Sequence, residues 1–262
     1  METIKRKIKN WVSEHYILVT GSQRSGTTMT FLIIENHSRI RGLDEKEVGK
    51  KEHPSFRELF LNNMLGYKTC RKLPTQSADK NNVKRYYKNA KIVWLIRNPL
   101  DTVQSMKNLS YKGWDGNWIQ EAAHIEINNL ERMFPDAKAL TKNCEIEIGA
   151  RIWKLNHMAM EEFKDSGLDV IKVKYENVLQ NTKSEVKRIF GRLKLDYEEK
   201  AMKYHNEEKN EERNLSGKTD ASEGINRTNV NKKINMTEAE IEKVKQVCKN
   251  RAEKEGYEIK QW

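Results

Sequence analysis

Two hydrophobic rhythms alternate along the chain: short, nearly unbroken apolar runs, and longer stretches in which apolar residues return every three or four positions. The first run, Tyr16 to Thr20 (YILVT), ends at Gly21 and predicts a buried strand entering a turn. Thr27 to Asn36 (TTMTFLIIEN) follows with a hydrophobic middle and predicts a helix, so strand, glycine loop and helix open a βα unit. Lys91 to Arg97 (KIVWLIR) predicts a second strand, apolar on both faces as strands of a covered parallel sheet are. Pro99 suits the first turn of the next helix, with Asn98 as N-cap and Leu100, Val103 and Met106 along it. A third strand is predicted at Asp169 to Tyr175 (DVIKVKY), before a helix from about Thr182 to Leu193 whose Val186, Ile189, Phe190 and Leu193 share one face.

Between the second and third strands lies a helix-rich stretch, Trp118 to Phe134 and then Glu147 to Asp165. From Lys203 to Asn235 the chain is very polar, with glycines, serines and asparagines, and is predicted as a long loop. The last helix, Thr237 to Glu255, opens on the capping box Thr237-Glu-Ala-Glu240 and carries Ile241, Val244, Val247 and Cys248 as a stripe that packs on the core. There is no internal repeat, and the charge runs are short and mixed in sign. The 262 residues are therefore expected to form one domain, with a helical insert at about 107–148 and a polar loop at about 203–235.

Composition narrows the partners. With 37% hydrophobic and 33% charged residues the chain is polar for a globular protein, and its formal charge of +11 favours anionic ligands without choosing between nucleic acid and nucleotide. Cys70, Cys144 and Cys248 are far apart and show no metal-ligand spacing, which fits a reducing, cytoplasmic environment. Met1 to Glu14 lacks the apolar core of a secretory signal, and no segment approaches the ~20 apolar residues of a membrane span, so a soluble protein is expected.

The loop Gly21-Ser-Gln-Arg-Ser-Gly-Thr-Thr28 carries the chemistry. Between a buried strand and a helix start it presents free backbone N–H groups and the positive end of the helix dipole, a site for phosphate or sulfonate. Its Gly21-x4-Gly26 frame matches a Walker A loop, but Thr27 stands where the phosphate-binding lysine should, and the basic residue, Arg24, lies inside the loop. The second strand ends in Arg97 rather than in the aspartate that serves a magnesium site, so it attracts phosphate rather than metal. A P-loop nucleotide kinase or phosphotransferase is the alternative that shares the sheet and the loop. A basic nucleic-acid-binding protein is a third reading, although the basic residues are scattered among acids and no stacking motif accompanies them.

These residues resemble the sulfotransferases that use 3′-phosphoadenosine-5′-phosphosulfate (PAPS). Gln23-Arg-Ser-Gly-Thr-Thr28 is similar to the family's 5′-phosphosulfate loop, and Arg97-Asn-Pro-Leu-Asp-Thr-Val-Gln-Ser105 to its 3′-phosphate motif, an arginine at a strand end and a serine eight residues later. The pattern is nearest to the bacterial and protein-tyrosine branches. The resemblance implies an α/β fold with a central, mostly parallel sheet flanked by helices, like that of P-loop NTPases. It implies PAPS as donor, 3′-phosphoadenosine-5′-phosphate as product and no metal. Gln23, Arg24, Ser25, Gly26, Thr27 and Thr28 would bind the phosphosulfate, Arg97 and Ser105 the 3′-phosphate, and Tyr175, in Val173-Lys-Tyr-Glu-Asn-Val178, would flank the purine. Arg227, Lys232 and Lys233 resemble the basic segment that closes over the 3′-phosphate, without the family's glycine-containing form.

Sulfonate transfer needs a base for the acceptor oxygen and cations for the departing one, and fixed arginine and lysine donors can take the place of a metal. Arg24 is the first choice for the leaving-group side, and Lys72, in Lys72-Leu-Pro74, resembles a second cation of the family, with Lys68 as the alternative. The cytosolic members' histidine is missing from Tyr67-Lys-Thr-Cys-Arg-Lys-Leu-Pro74. The protein-tyrosine branch places a glutamate shortly after the first helix, which makes Glu45 the expected general base, with Asp44, Glu47 and His53 as alternatives. The acceptor, a hydroxyl or amine on a glycan, a tyrosine, a lipid or a small metabolite, would lie against Lys46 to Leu65 and the insert, where Trp114 and Trp118 provide aromatic surface. Trp118 is expected to be core.

Overall fold

Five parallel strands form one sheet in the order β2-β3-β1-β4-β5: β1 (Tyr16–Gly21) lies at the centre, β3 (Lys68–Lys72) and β2 (Ile40–Leu43) on one side, and β4 (Lys91–Ile96) and β5 (Asp169–Lys174) on the other. The structure is a computed structural model and describes residues 2–43, 55–74, 80–110, 113–142, 144–206, 225 and 234–258. The chain leaves β1 toward β2 and β3, then returns to the other side for β4, so the strand order reverses at β1. In open α/β sheets ligands bind outside the carboxyl ends of the strands at such a switch point. Register brings three strand ends together there: Val19 pairs with Lys72, Thr20 with Trp94 and Gly21 with Leu95. Gly21 has φ 130°, and a Cβ would stand 2.3 Å from the Leu95 carbonyl oxygen, so only glycine lets β1 end against β4.

Alternation along the strands divides the core into two layers. Ile17, Val19, Val93, Leu95, Ile171 and Val173 face one side, where they meet α2 (Thr27–Glu35), α8 (Tyr175–Gln180) and α9 (Thr182–Arg192). Tyr16, Leu18, Ile92, Trp94 and Ile96 face the other, against α1 (Glu2–Glu14), α3 (Phe56–Met64), α4 (Lys80–Tyr86), α5 (Pro99–Lys107), α7 (Glu145–Asp165) and the last helix, α10 (Glu238–Lys254). The insert builds a third cluster. Trp118, Ile119, Ala123, Ile127 and Leu130 of α6 (Trp118–Glu131) pack on Met106, Leu109 and Ile152, with a 3-10 segment (Pro135–Lys142) closing it. Trp118 belongs to this core.

The three predicted strands are β1, β4 and β5, and β2 and β3 are additional. KTCRK of β3 has three cations among its five residues and no apolar run, yet Cys70, Arg71 and Lys72 are buried in the sheet. The predicted helix starts hold in detail. Asn98 Oδ1 accepts from Leu100 N at 2.9 Å, and the Thr237–Glu240 capping box forms in both directions. Most of the polar stretch from 203 to 235 lies outside the described residues.

Candidate functional site

The turn between β1 and α2 is shaped by two residues in left-handed backbone conformations, Arg24 at φ 65° and Gly26 at φ 86°. For Gly26 the conformation is free of strain, and the missing side chain is needed as well, because a Cβ would stand 2.3 Å from Cδ2 of Tyr175. Arg24 has no such freedom. A non-glycine residue held at positive φ carries strain on the order of 1–3 kcal/mol, which neighbours must hold in place. Helix α2 then begins at Thr27 with no side-chain cap and no acidic residue in its first turn. The N–H groups and dipole of that turn are thus left for an external anion, whereas α5 satisfies its own start with Asn98 and Asp101. Ser25 is wholly buried, and its hydroxyl has no hydrogen-bond partner among the described residues.

Cations from three strand ends converge on this turn. Arg24 Nε donates to Ser105 Oγ at 3.2 Å, and Arg97 Nη1 donates to the Arg24 carbonyl at 3.0 Å. The Arg97 guanidinium lies 4.5 Å from the centroid of the Tyr175 ring, a cation–π contact, and its own carbonyl accepts from Trp153 Nε1 at 2.9 Å. Tyr175, the first residue of α8, thus buttresses both Gly26 and Arg97. From β3, the buried Lys72 Nζ donates to Thr28 Oγ1 at 3.1 Å. On α5, burial pushes the Asp101 carboxyl up while Arg97 acts to lower it.

Lys68 is placed elsewhere. It starts β3 opposite Ile40, donates to the Leu193 carbonyl at 2.7 Å, and lines a cavity of about 480 Å³ with Lys91, Asp169 and Lys194 at the amino-terminal edge of the sheet. Burial, followed by Lys194, lowers its pKa. Asp44, Glu45, Glu47, His53, Arg227, Lys232 and Lys233 lie outside the described residues. Where the chain resumes, Asn235 N donates to Gln104 Oε1 at 2.6 Å, one residue from Ser105, and Lys107 pairs with Glu240 at 2.6 Å.

Sequence reasoning missed a buried carboxylate. Glu126 of α6 accepts from Gln23 Nε2 at 3.3 Å and from Asn156 Nδ2 of α7 at 3.1 Å, which ties the insert to the loop residue next to Arg24. A signal was present: Glu126 interrupts the apolar stripe Ala123, Ile127, Leu130, where a carboxylate is costly unless it has donors.

Similar folds are found among solved structures. The sulfotransferase domain of the curacin biosynthetic pathway superposes with a TM-score of 0.57 at 13% identity, covering 93% of this chain and 97% of that one. The sulfotransferase domain of the Synechococcus PCC 7002 olefin synthase gives 0.54 at 13% identity over 90% and 93%. Sulfotransferase STF9 from Mycobacterium avium gives 0.51 at 9% identity over 93% and 77%. No curated protein sequence matches the chain. The sequence model of the sulfotransferase family matches residues 50–199, which include Lys72, Arg97, Ser105 and Tyr175 and begin after the glycine loop. That span is more than half of the chain, and the protein belongs to the sulfotransferase family.

Proposed function

We propose that the protein transfers a sulfonate group from PAPS to a hydroxyl or amine of its acceptor. The carrying observation is the junction of Arg24 with Ser105 and Arg97, which joins an anion loop lacking a Walker lysine to a second cationic group 73 residues away. A donor with anions at both its 5′ and 3′ positions matches two such centres. The uncapped start of α2, the Ser25 hydroxyl and the side chains of Thr27 and Thr28 suit the 5′ end, and Arg97 and Ser105 the 3′-phosphate.

When bound, the donor supplies an activated sulfur–oxygen bond whose cleavage leaves negative charge on a phosphate oxygen. Arg24 and Lys72 offer fixed positive charge for that oxygen. Because Lys72 is buried and held by Thr28, its charge is in position before reaction, the arrangement that makes electrostatic stabilisation effective. Gln23 is oriented by Glu126, and Tyr175 holds the Gly26 turn and the Arg97 guanidinium in one arrangement. In this reading Glu45 accepts the proton of the acceptor, while Arg227, Lys232 and Lys233 close over the 3′-phosphate.

Thermal unfolding with 3′-phosphoadenosine-5′-phosphate, with magnesium-ATP and with an oligonucleotide tests the proposal. A ligand at ~100 times its Kd stabilises the native state by ~2.7 kcal/mol. The expected result is a shift with the 3′-phosphorylated nucleotide alone. A shift confined to magnesium-ATP would make the protein a phosphotransferase, and one confined to the oligonucleotide a nucleic-acid binder.

A further inference from the structure

Helix α1 carries Ile4, Ile8, Trp11 and Val12 on a single stripe, at the spacing of an amphipathic helix. The stripe is packed at its carboxyl end only, where Val12 is buried and Trp11 meets the Phe60 ring edge-on at 5.9 Å. Helix α3 lies beside it: Asn63 Nδ2 donates to the Val12 carbonyl at 3.4 Å, and Phe60 stacks on Phe56 at 6.3 Å. Leu59 and Asn63 turn α3 inward and Phe60 is partly buried against the same core, while Phe56, Leu61 and Met64 face out. Ile4, Ile8, Phe56, Leu61, Met64 and Leu65 are between 37% and 70% exposed. They are six of the eight large hydrophobic side chains exposed among the described residues, the other two being Ile125 and Met158 on α6 and α7. Single exposed apolar residues are ordinary, but their concentration on two adjoining helices marks a binding surface.

The charge of the same surface identifies what it fits. Between Glu2 and Glu14, α1 carries Lys5, Arg6, Lys7 and Lys9 and no acidic residue, all four exposed, while α3 adds the exposed Arg57 with the exposed Glu58 beside it, so the positive charge of the surface lies on α1. None of these five forms an ion pair with a described residue; Lys9 reaches the Arg85 carbonyl. A second copy docked face to face would bring the α1 cations against one another, which disfavours self-association. An anionic bilayer presents both complements together, apolar chains below a layer of negative headgroups. We propose that α1 and α3 seat the protein on the surface of a membrane rich in anionic phospholipid, with Ile4, Ile8 and the outer face of α3 entering the interface and the α1 cations held at the headgroups. The seating is peripheral, since no helix among the described residues is long and apolar enough to cross a membrane. It stands independently of the sulfonate-transfer reading.

Flotation of the full chain with vesicles of phosphatidylcholine alone, and of phosphatidylcholine mixed with phosphatidylglycerol, tests the proposal. Expected is binding to the anionic vesicles at least ~10-fold tighter than to the neutral ones, weakened by added salt. The double variant Ile4→Asp/Ile8→Asp should lose ~10-fold or more of that binding, and Lys5→Glu/Lys7→Glu should lose the preference for anionic lipid. All four positions are solvent-facing, so unchanged thermal unfolding in water establishes that the variants fold. Equal binding to both vesicle types, no binding to either, or variants that bind as the parent does would overturn the proposal. So would a dimer in solution that Ile4→Asp/Ile8→Asp dissociates, because a second copy would then cover the surface.

Discussion

Arg24 Nε donates to Ser105 Oγ at 3.2 Å across 81 residues of sequence, so the anion loop and the helix after β4 are one structure rather than two neighbouring motifs. Ser105→Ala removes the acceptor that holds a strained, charged residue. It should weaken binding of 3′-phosphoadenosine-5′-phosphate by ~10-fold, the size of one hydrogen bond to a charged group. Arg24→Ala should cost more, and the double variant less than the two separate losses combined, because the residues act together. Isothermal titration of the four proteins measures this, and strictly additive losses would show that the contact does not couple the motifs.

Lys72 and Lys68 lie on the same short strand and are placed to do different things. Lys72→Met should lower turnover ~10²–10³-fold, the usual cost of removing one preorganised donor at a developing charge. Lys68→Met, at the opposite edge, should leave turnover near that of the parent and act only on stability. Steady-state assays with labelled donor separate the two, and the reverse ranking would move the site to the other end of the sheet.

Gly26→Ala meets the Tyr175 ring and a backbone φ of 86° at once. A loss of ~1–3 kcal/mol in unfolding free energy is expected, with a reduced response to the nucleotide. Shortening the obstacle in Gly26→Ala/Tyr175→Leu should recover part of the stability and little of the binding, since Arg97 then loses its aromatic platform. Urea unfolding gives the first quantity and titration the second.

Much of this arrangement was legible in the sequence, for reasons that also mark where it was not. Strands β1 and β4 are covered on both faces and read as unbroken apolar runs, and the caps at Asn98 and Thr237 are local interactions that a short window contains. Strand β3 was hidden because Arg71 and Lys72 occupy buried positions that apolar residues would normally take, and β2 is only four residues long. Helix α1 has an apolar stripe, but Lys5, Arg6, Lys7 and Lys9 separate its members and leave no continuous apolar run to mark it. Contacts such as Gln23 with Glu126 and Arg24 with Ser105 depend on how distant elements meet, which periodicity does not report.

His157 provides a pH test of the packing behind the site. Burial pushes its imidazole from 6.5 to about 4, and the ring lies tilted by 30° against that of Trp153, whose carbonyl accepts from Nδ1 at 2.7 Å. The unfolded chain binds this proton near its ordinary pKa and the native state only near the lowered one. Stability is therefore complete above about 6.5 and lost as pH falls toward about 4, by on the order of 3 kcal/mol. Urea unfolding across that range should show the decline, and His157→Gln should flatten it; equal slopes in both proteins would place the titration elsewhere.

The central claim is recognition of a nucleotide with anions at both ends, and calorimetric titration with 3′-phosphoadenosine-5′-phosphate and with 5′-ADP tests it most directly. Preferential binding of the 3′-phosphorylated nucleotide, by at least ~10-fold and reduced toward parity in Arg97→Ala, is the predicted result. Equal affinity for the two nucleotides in the parent protein, or a preference that survives Arg97→Ala, would contradict it.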